Sequence, residues 1–376
     1  MPDARGRIHE LDALRGLAAL GVVVWHYGIH FHAQPLHALL MPLYTAGFLL
    51  VDFFFVLSGY VIARAYWKVA RQGRPLANVY ARIARLYPLH LLTLLATALL
   101  LAALPEQGGD PVFVQPGNDA RHFLLNLVLL NQSGLQSGWS FNTPAWSISA
   151  EFLVNIAFFG VIALAPRRRL GVTAVAVVFL ALLAATATPP YLVGSMAFGY
   201  LDANLIRCAM GFALGVGVYW LVHRTAAGAW RDTRPILATL VALAGLGGIA
   251  VVMLQSQRHP PVRDYLLSML TSAAAVIATP ASPVVRSLLR VRPLVFLGDI
   301  SYSIYLVHYP LQLALYTVAA RGVLLPRYEH PVMLVAFLAL VVAVAALTHR
   351  FVELPGQRLL LGFARREPAP LSSQSG

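Results

Sequence analysis

Charge is scarce in this chain: 11% of its 376 residues are Asp, Glu, Lys or Arg, against 59% apolar. A soluble domain carries about a quarter charged residues, so that class is excluded and a polytopic membrane protein is left. Cysteine is scarcer still. The one cysteine, Cys208, lies in an apolar segment, which rules out an internal disulfide and any multi-cysteine metal site, and no metal is expected. Lysine is nearly missing, since Lys68 is the only one among twenty-eight basic residues. That bias reads first as codon usage and second as a preference for planar guanidinium recognition of phosphate. Acidic residues are few enough to leave a formal charge of +13. Basic loops that orient a membrane protein explain this excess more economically than nucleic acid, so membrane lipids are the expected partner and nucleic acid is not. A cleavable secretion signal is not expected either. Arg15 interrupts the first apolar run and no small-x-small site follows, so the first span is retained.

What is present is apolar runs of spanning length. At about 20 residues per crossing, ten helices are predicted near 11–30, 44–65, 86–104, 144–165, 170–188, 201–222, 236–254, 264–280, 294–317 and 332–351. A further apolar run at 123–130 is too short to cross and reads as a re-entrant or interfacial helix. With the N-terminus inside, twenty-one basic residues fall on the cytoplasmic side and five outside, so the expected fold is an all-α bundle with both termini in the cytoplasm. No internal repeat is evident. Residues 1–360 read as one transmembrane domain and 361–376 as a disordered cytoplasmic tail. The 105–143 stretch, rich in Gly, Pro, Asn and Gln, should lie outside, where it could cover a substrate cavity.

The ionisable residues within spans are the functional candidates, because each costs roughly 2.5 to 3.5 kcal/mol to insert. The first span carries Arg15 and His26, eleven residues apart. Helix geometry places them on one face, about 16 Å apart along the axis. Imidazole is the side chain suited to take a proton from a hydroxyl near neutral pH, so His26 is the expected base. Asp12, three positions before Arg15, reads as its structural partner. In the second span Asp52 lies at about the depth of His26 and could orient it, while Ser58-Gly59 reads as a small-residue helix contact. Arg82 and Arg85, three apart, share a helix face at the cytoplasmic end of the third span, where guanidinium forks suit phosphate oxygens.

The fourth span opens with Trp146 in the outer aromatic belt, then Ser147, with Glu151 about 7 Å deeper. A carboxylate at the depth of His26 could stabilise its charged form. In the ninth span Ser301, Tyr305 and His308 recur at spacings of four and three, a polar stripe that can line a cavity. Phe351-Val352-Glu353-Leu354-Pro355 reads as the structural stop of the tenth helix.

Together these stretches resemble the acyltransferase 3 family of integral-membrane acyltransferases, over almost the whole chain. The carriers are Leu14-Arg15-Gly16-Leu17-Ala18 with His26, Asp52-Phe53-Phe54-Phe55-Val56-Leu57-Ser58-Gly59, Arg82-x-x-Arg85-x-x-Pro88, Trp146-Ser147 with Glu151, Ser301-Tyr302-Ser303-Ile304-Tyr305-Leu306-x-His308 and Glu353-x-Pro355. Each is weak alone, and six in order are specific. The resemblance implies a multi-pass protein of the bacterial inner (cytoplasmic) membrane that moves an acyl group, commonly acetyl from acetyl-CoA, onto a hydroxyl of a glycan, glycolipid or other sugar-containing acceptor. It implies His26 as the catalytic residue and Arg15, Arg82 and Arg85 as donor-binding residues. Some members append a periplasmic hydrolase-like domain, and none is expected here. Glu151, or else Asp52, is expected to balance the imidazolium, with Trp146, Ser147, Ser301, Tyr305 and His308 handling substrate. A covalent acyl-histidine is the mechanistic alternative, and a sugar or lipid transporter without chemistry is the alternative of another class. The acceptor, the acyl chain length and the oligomeric state stay open.

Overall fold

In the computed structural model, the residues described are 7–70, 75–104, 110–136, 138–164, 196–197, 201–224, 234–256, 261–323 and 325–364. Apart from a two-residue antiparallel ladder between Met196–Ala197 and Leu201–Asp202, the regular elements are helices. They are α1 (His9–His30), α2 (His37–Ala46), α3 (Leu50–Ala70), α4 (Pro75–Ala102), α5 (Ala120–Leu127), α6 (Trp146–Leu164) and α7 (Ala203–Arg224). After these come α8 (Pro235–Gln255), α9 (Val262–Ala278), α10 (Pro283–Leu289), α11 (Arg292–Asp299), α12 (Ser301–Ala320), α13 (Pro331–Thr348) and α14 (Leu354–Ala364). Seven helical stretches among the described residues are long and apolar enough to cross a membrane. The fifth expected span, 170–188, lies outside the described residues.

α1 sits at the centre, packed by α2, α3, α11 and α12. Its Ala13, Ala19, Val22, Val23 and Tyr27 are fully enclosed. α8 and α13 form the periphery and turn Leu240, Leu243, Val332, Val335 and Leu347 outward, as suits helix faces against lipid. Two close helix approaches fix the interior. α3 and α7 meet through Gly59 and Gly215, where an added Cβ would run into the carbonyls of Phe212 and Val56 respectively. α1 and α11 meet through Gly16 and Gly298, where a Cβ on Gly298 would strike the backbone of Asp12. Small residues let backbones approach in this way, so Gly59 is a helix contact as its composition implied, whereas Ser58 turns to Glu151.

Four boundaries depart from expectation. The third helix begins at Pro75, eleven residues before the apolar run, so Arg82 and Arg85 stand within a helix rather than at its mouth. The ninth span is two helices, since Ile300 takes φ −94° and ψ 6° and separates α11 from α12. The tenth helix does not stop at Phe351-Val352-Glu353-Leu354-Pro355. It passes through a π turn, His349–Glu353, into α14, because Pro355 falls in the first turn of the new helix, where the missing N–H is no loss. α14 runs to Ala364, so the first four residues assigned to a disordered tail are helical. The short run at 123–130 contributes α5, capped by the Asp119 carboxylate, which accepts from the His122 N–H at 2.9 Å.

Candidate active site

α1 carries Arg15 and His26 into the protein interior, with Arg15 half-buried and His26 buried. Around His26 the groups are imidazoles and an indole. His26 Nδ1 lies 3.2 Å from the Val22 carbonyl, one turn back, and 3.1 Å from Nε2 of His308. His308 sets its own Nδ1 3.2 Å from the Ile304 carbonyl. His30 stacks on His26 with ring centres 5.2 Å apart, and its Nδ1 is 2.6 Å from Gln312 Oε1. Trp25 covers another side at 4.5 Å. His26 Nε2 has no hydrogen-bond partner among the described residues.

Toward the Arg15 end of α1 opens a cavity of about 120 Å³. Arg15 from α1, Arg82 and Arg85 from α4 and Glu151 from α6 line it, together with Ser58, Ser301 and Tyr302. Three guanidinium groups against one carboxylate leave an excess of positive charge. Arg82 donates to Glu151 Oε1 at 2.5 Å, and Ser58 Oγ donates to the same oxygen at 2.7 Å. Arg82 Nε is buried without a partner. Arg85 has no hydrogen bond or ion pair among the described residues. Arg15 is held by the break between α11 and α12: it donates to the Gly298 carbonyl at 2.8 Å and to Ser301 Oγ at 2.7 Å. A helix C-terminus favours such a cation. Asp12 lies 3.2 Å from Arg15, the structural pair that the spacing implied.

Ser147 and Tyr305 also line this cavity, and their hydroxyls are 2.8 Å apart. Tyr305 lies 6.0 Å, ring to ring, from His308. The cavity wall is therefore one side chain from the imidazole pair.

The proposed pairing of His26 with Glu151 or Asp52 is not formed. Glu151 faces α4 and pairs with Arg82. Asp52 is fully enclosed and accepts from Arg207 Nε at 2.6 Å, and Arg207 also donates to the Phe48 carbonyl and lies 4.5 Å from the Tyr265 ring centre. A buried carboxylate requires a cation, and α7 supplies one that packing of α7 on α3 brings within reach. Of the expected substrate residues, Ser147, Ser301 and Tyr305 reach the cavity. Trp146 does not line it and packs edge-on against Phe55. His308 does not line it either and meets His26. Glu353 is buried, accepts from Ser303 Oγ at 2.9 Å and lies 3.0 Å from His349 Nδ1, so it ties α12 to the π turn.

Sequence reasoning missed three participants. His30 follows His26 by four residues on the same helical stripe, and that spacing could have revealed it. Arg207 stood out only as a charge within a span, because its pairing with Asp52 depends on which helices adjoin. Ser58 gave no signal beyond a small side chain.

The fold and these sites define a multi-pass, all-helical membrane protein with chemistry-bearing groups buried in its centre. The chain belongs to the acyltransferase family whose model, described as an acyltransferase domain, matches residues 8–350. It is similar to the acyltransferase MdmB of Streptomyces mycarofaciens, 28% identical over 98% of this chain and 95% of that protein. It is also similar to Protein 2 in the picA locus of Rhizobium radiobacter, 34% identical over 39% of this chain and 78% of that one. The O-acetyltransferase OatA of Staphylococcus aureus is 25% identical over 92% of this chain, which spans 56% of the length of OatA. No solved structure matches.

Proposed function

We propose that this membrane acyltransferase moves an acyl group, acetyl in the first instance, from cytoplasmic acyl-CoA to a hydroxyl of a glycan, glycolipid or other sugar-containing acceptor. The main support is the convergence of Arg15, Arg82 and Arg85 on one cavity that reaches Tyr305, a neighbour of His308 and hence of His26. Donor phosphates bind at the guanidinium groups, of which Arg85 and Arg82 Nε are unengaged. The acyl end then crosses the roughly 16 Å between the Arg15 and His26 levels. Both termini lie in the cytoplasm in a ten-span topology, which puts the arginines on the side where CoA is found. α1 and α12, 22 and 20 residues long, count among the spans. Their apolar character is diluted by Arg15, His26 and His30 in the first and by His308 and Gln312 in the second.

The transfer proceeds in a ternary complex. His26 Nε2 takes the proton of the acceptor hydroxyl as its oxygen attacks the thioester carbonyl carbon. The carbon–sulfur bond breaks, and the imidazolium returns the proton to the departing thiolate, giving ester and free CoA thiol. Purified protein supplied with acetyl-CoA and octyl glucoside, whose sugar hydroxyls act as the acceptor probe, should release CoA thiol and acetylated glucoside. His26→Ala should abolish both products. Full transfer by His26→Ala overturns the assignment.

A further inference from the structure

We propose that His308 is the positioning residue for His26, taking the place that a carboxylate holds in many catalytic histidine arrangements. This rests on the reading of His26 as the base. A backbone carbonyl can only accept, so the Ile304 oxygen 3.2 Å from His308 Nδ1 puts the proton of the neutral ring on Nδ1. His308 Nε2 then carries a lone pair, and the atom 3.1 Å from it, His26 Nδ1, must be the donor. The Val22 carbonyl 3.2 Å from the same Nδ1 demands the same assignment independently. His26 Nε2 is left with a lone pair and no partner among the described residues. The relay runs from His26 N–H to His308 and from His308 N–H to the Ile304 carbonyl. It fixes the tautomer in which Nε2 can accept the hydroxyl proton, and it polarises toward the imidazolium when that proton arrives.

The geometry explains why His308 lies outside the cavity although it belongs to a stripe whose Ser301 and Tyr305 line it. His308 is enclosed, with 0% exposure, and both ring nitrogens are engaged. It orients the base and touches no substrate. Neither Asp52 nor Glu151 competes for the role, because Arg207 and Arg82 hold them.

Glutamine and asparagine at position 308 separate this role from packing. The Gln side-chain oxygen reaches the place of the His Nε2 lone pair, whereas Asn is one methylene shorter and reaches only the Nδ1 place. With acetyl-CoA and octyl glucoside, His308→Asn and His308→Phe should lower kcat at least a hundredfold, the scale of a general-base contribution, with KM for acetyl-CoA within threefold of the parent. His308→Gln should recover at least tenfold over His308→Asn. Thermal unfolding in detergent reports whether each variant folds, and the Gln against Asn comparison compares two polar side chains of similar disturbance. Equal kcat for the two, or a kcat of His308→Asn or His308→Phe within threefold of the parent, overturns the proposal while His26→Ala stays inactive. Retained transfer by His26→Ala would instead overturn the reading on which the proposal rests.

Discussion

Glu151→Gln separates two roles for the carboxylate that lines the cavity proposed for the donor. The amide keeps an oxygen for Ser58 and Arg82 but removes the negative charge, so the net positive charge around the cavity rises by one unit. For a donor phosphate about 8 Å away and an effective dielectric of about 20, one unit of charge is worth about 2 kcal/mol, or about thirtyfold in affinity. Salt screens a cavity that opens to water, so about thirtyfold is the upper bound and the gain shrinks as ionic strength rises. The expected outcome is a lower KM for acetyl-CoA with kcat within about threefold of the parent. Initial rates of CoA thiol release at low and high salt measure both quantities. A Glu151 that balanced the His26 imidazolium would behave in the opposite manner, with kcat down by about a hundredfold or more and KM little changed. That result would refute the assignment of Glu151 to the Arg82 side.

Further outcomes follow from the same geometry. Arg85→Ala removes an unengaged guanidinium, and at about 1.5 to 3 kcal/mol for a charge-assisted hydrogen bond the KM for acetyl-CoA should rise roughly ten- to hundredfold, with kcat preserved. Arg207→Ala leaves Asp52 buried and uncompensated and should cost about 3 to 5 kcal/mol, read as a lowered unfolding midpoint in detergent. The double variant Asp52→Asn with Arg207→Met should recover most of that loss, and a double variant no better than the single one would place the cost elsewhere. Gly215→Leu drives a side chain into the Val56 carbonyl and should prevent α3 from seating on α7, seen as loss of the monodisperse species on size exclusion. Incubation with radiolabelled acetyl-CoA and no acceptor should leave the protein unlabelled, whereas stoichiometric label on His26 would establish an acyl-histidine instead of direct transfer.

Most of the helices were legible, because lipid demands long apolar runs and long apolar runs are easily read. The breaks were not. No proline marks the break at Ile300, and the close seating of Gly298 on Asp12 and the hold of Arg15 on the Gly298 carbonyl show what holds the interruption there. α4 begins well before its apolar run, because nothing polar in that stretch forbids a helix. In the candidate site, residue types and depths were readable but partners were not. Counting along the spans set Glu151, Asp52 and His26 at similar depths, yet Glu151 lines the cavity with Arg15, and such counting does not say which helices adjoin. Arg82 from α4 and Arg207 from α7 are nearer to the two carboxylates and bind them. The polar stripe of α12 divides for the same reason. Ser301 and Tyr305 face the cavity, while His308 is turned by less than one helical step toward α1.

The placement of charge along α1 follows from the cost of burying it. At the Arg15 level charges are plentiful and line the cavity proposed for the anionic donor. Asp52 and Arg207, both buried, form a pair that is neutral as a unit. Around His26, among the described residues, stand Trp25, His30, His308 and the Val22 carbonyl, with the Gln312 amide against His30. A carboxylate beside His26 would need its own cation in a low-dielectric interior, and that cation would in turn oppose the imidazolium the carboxylate was meant to stabilise. A second imidazole avoids the problem: it accepts one hydrogen bond, donates another to a carbonyl, and bears no charge at rest. In the proposed transfer the imidazolium at this depth is matched by the negative charge that passes from the tetrahedral oxygen to the departing thiolate. It lasts no longer than the reaction itself, because the proton taken from the acceptor leaves on the thiol of CoA. The donor side can therefore be strongly basic and the reacting centre uncharged within one helix of 22 residues.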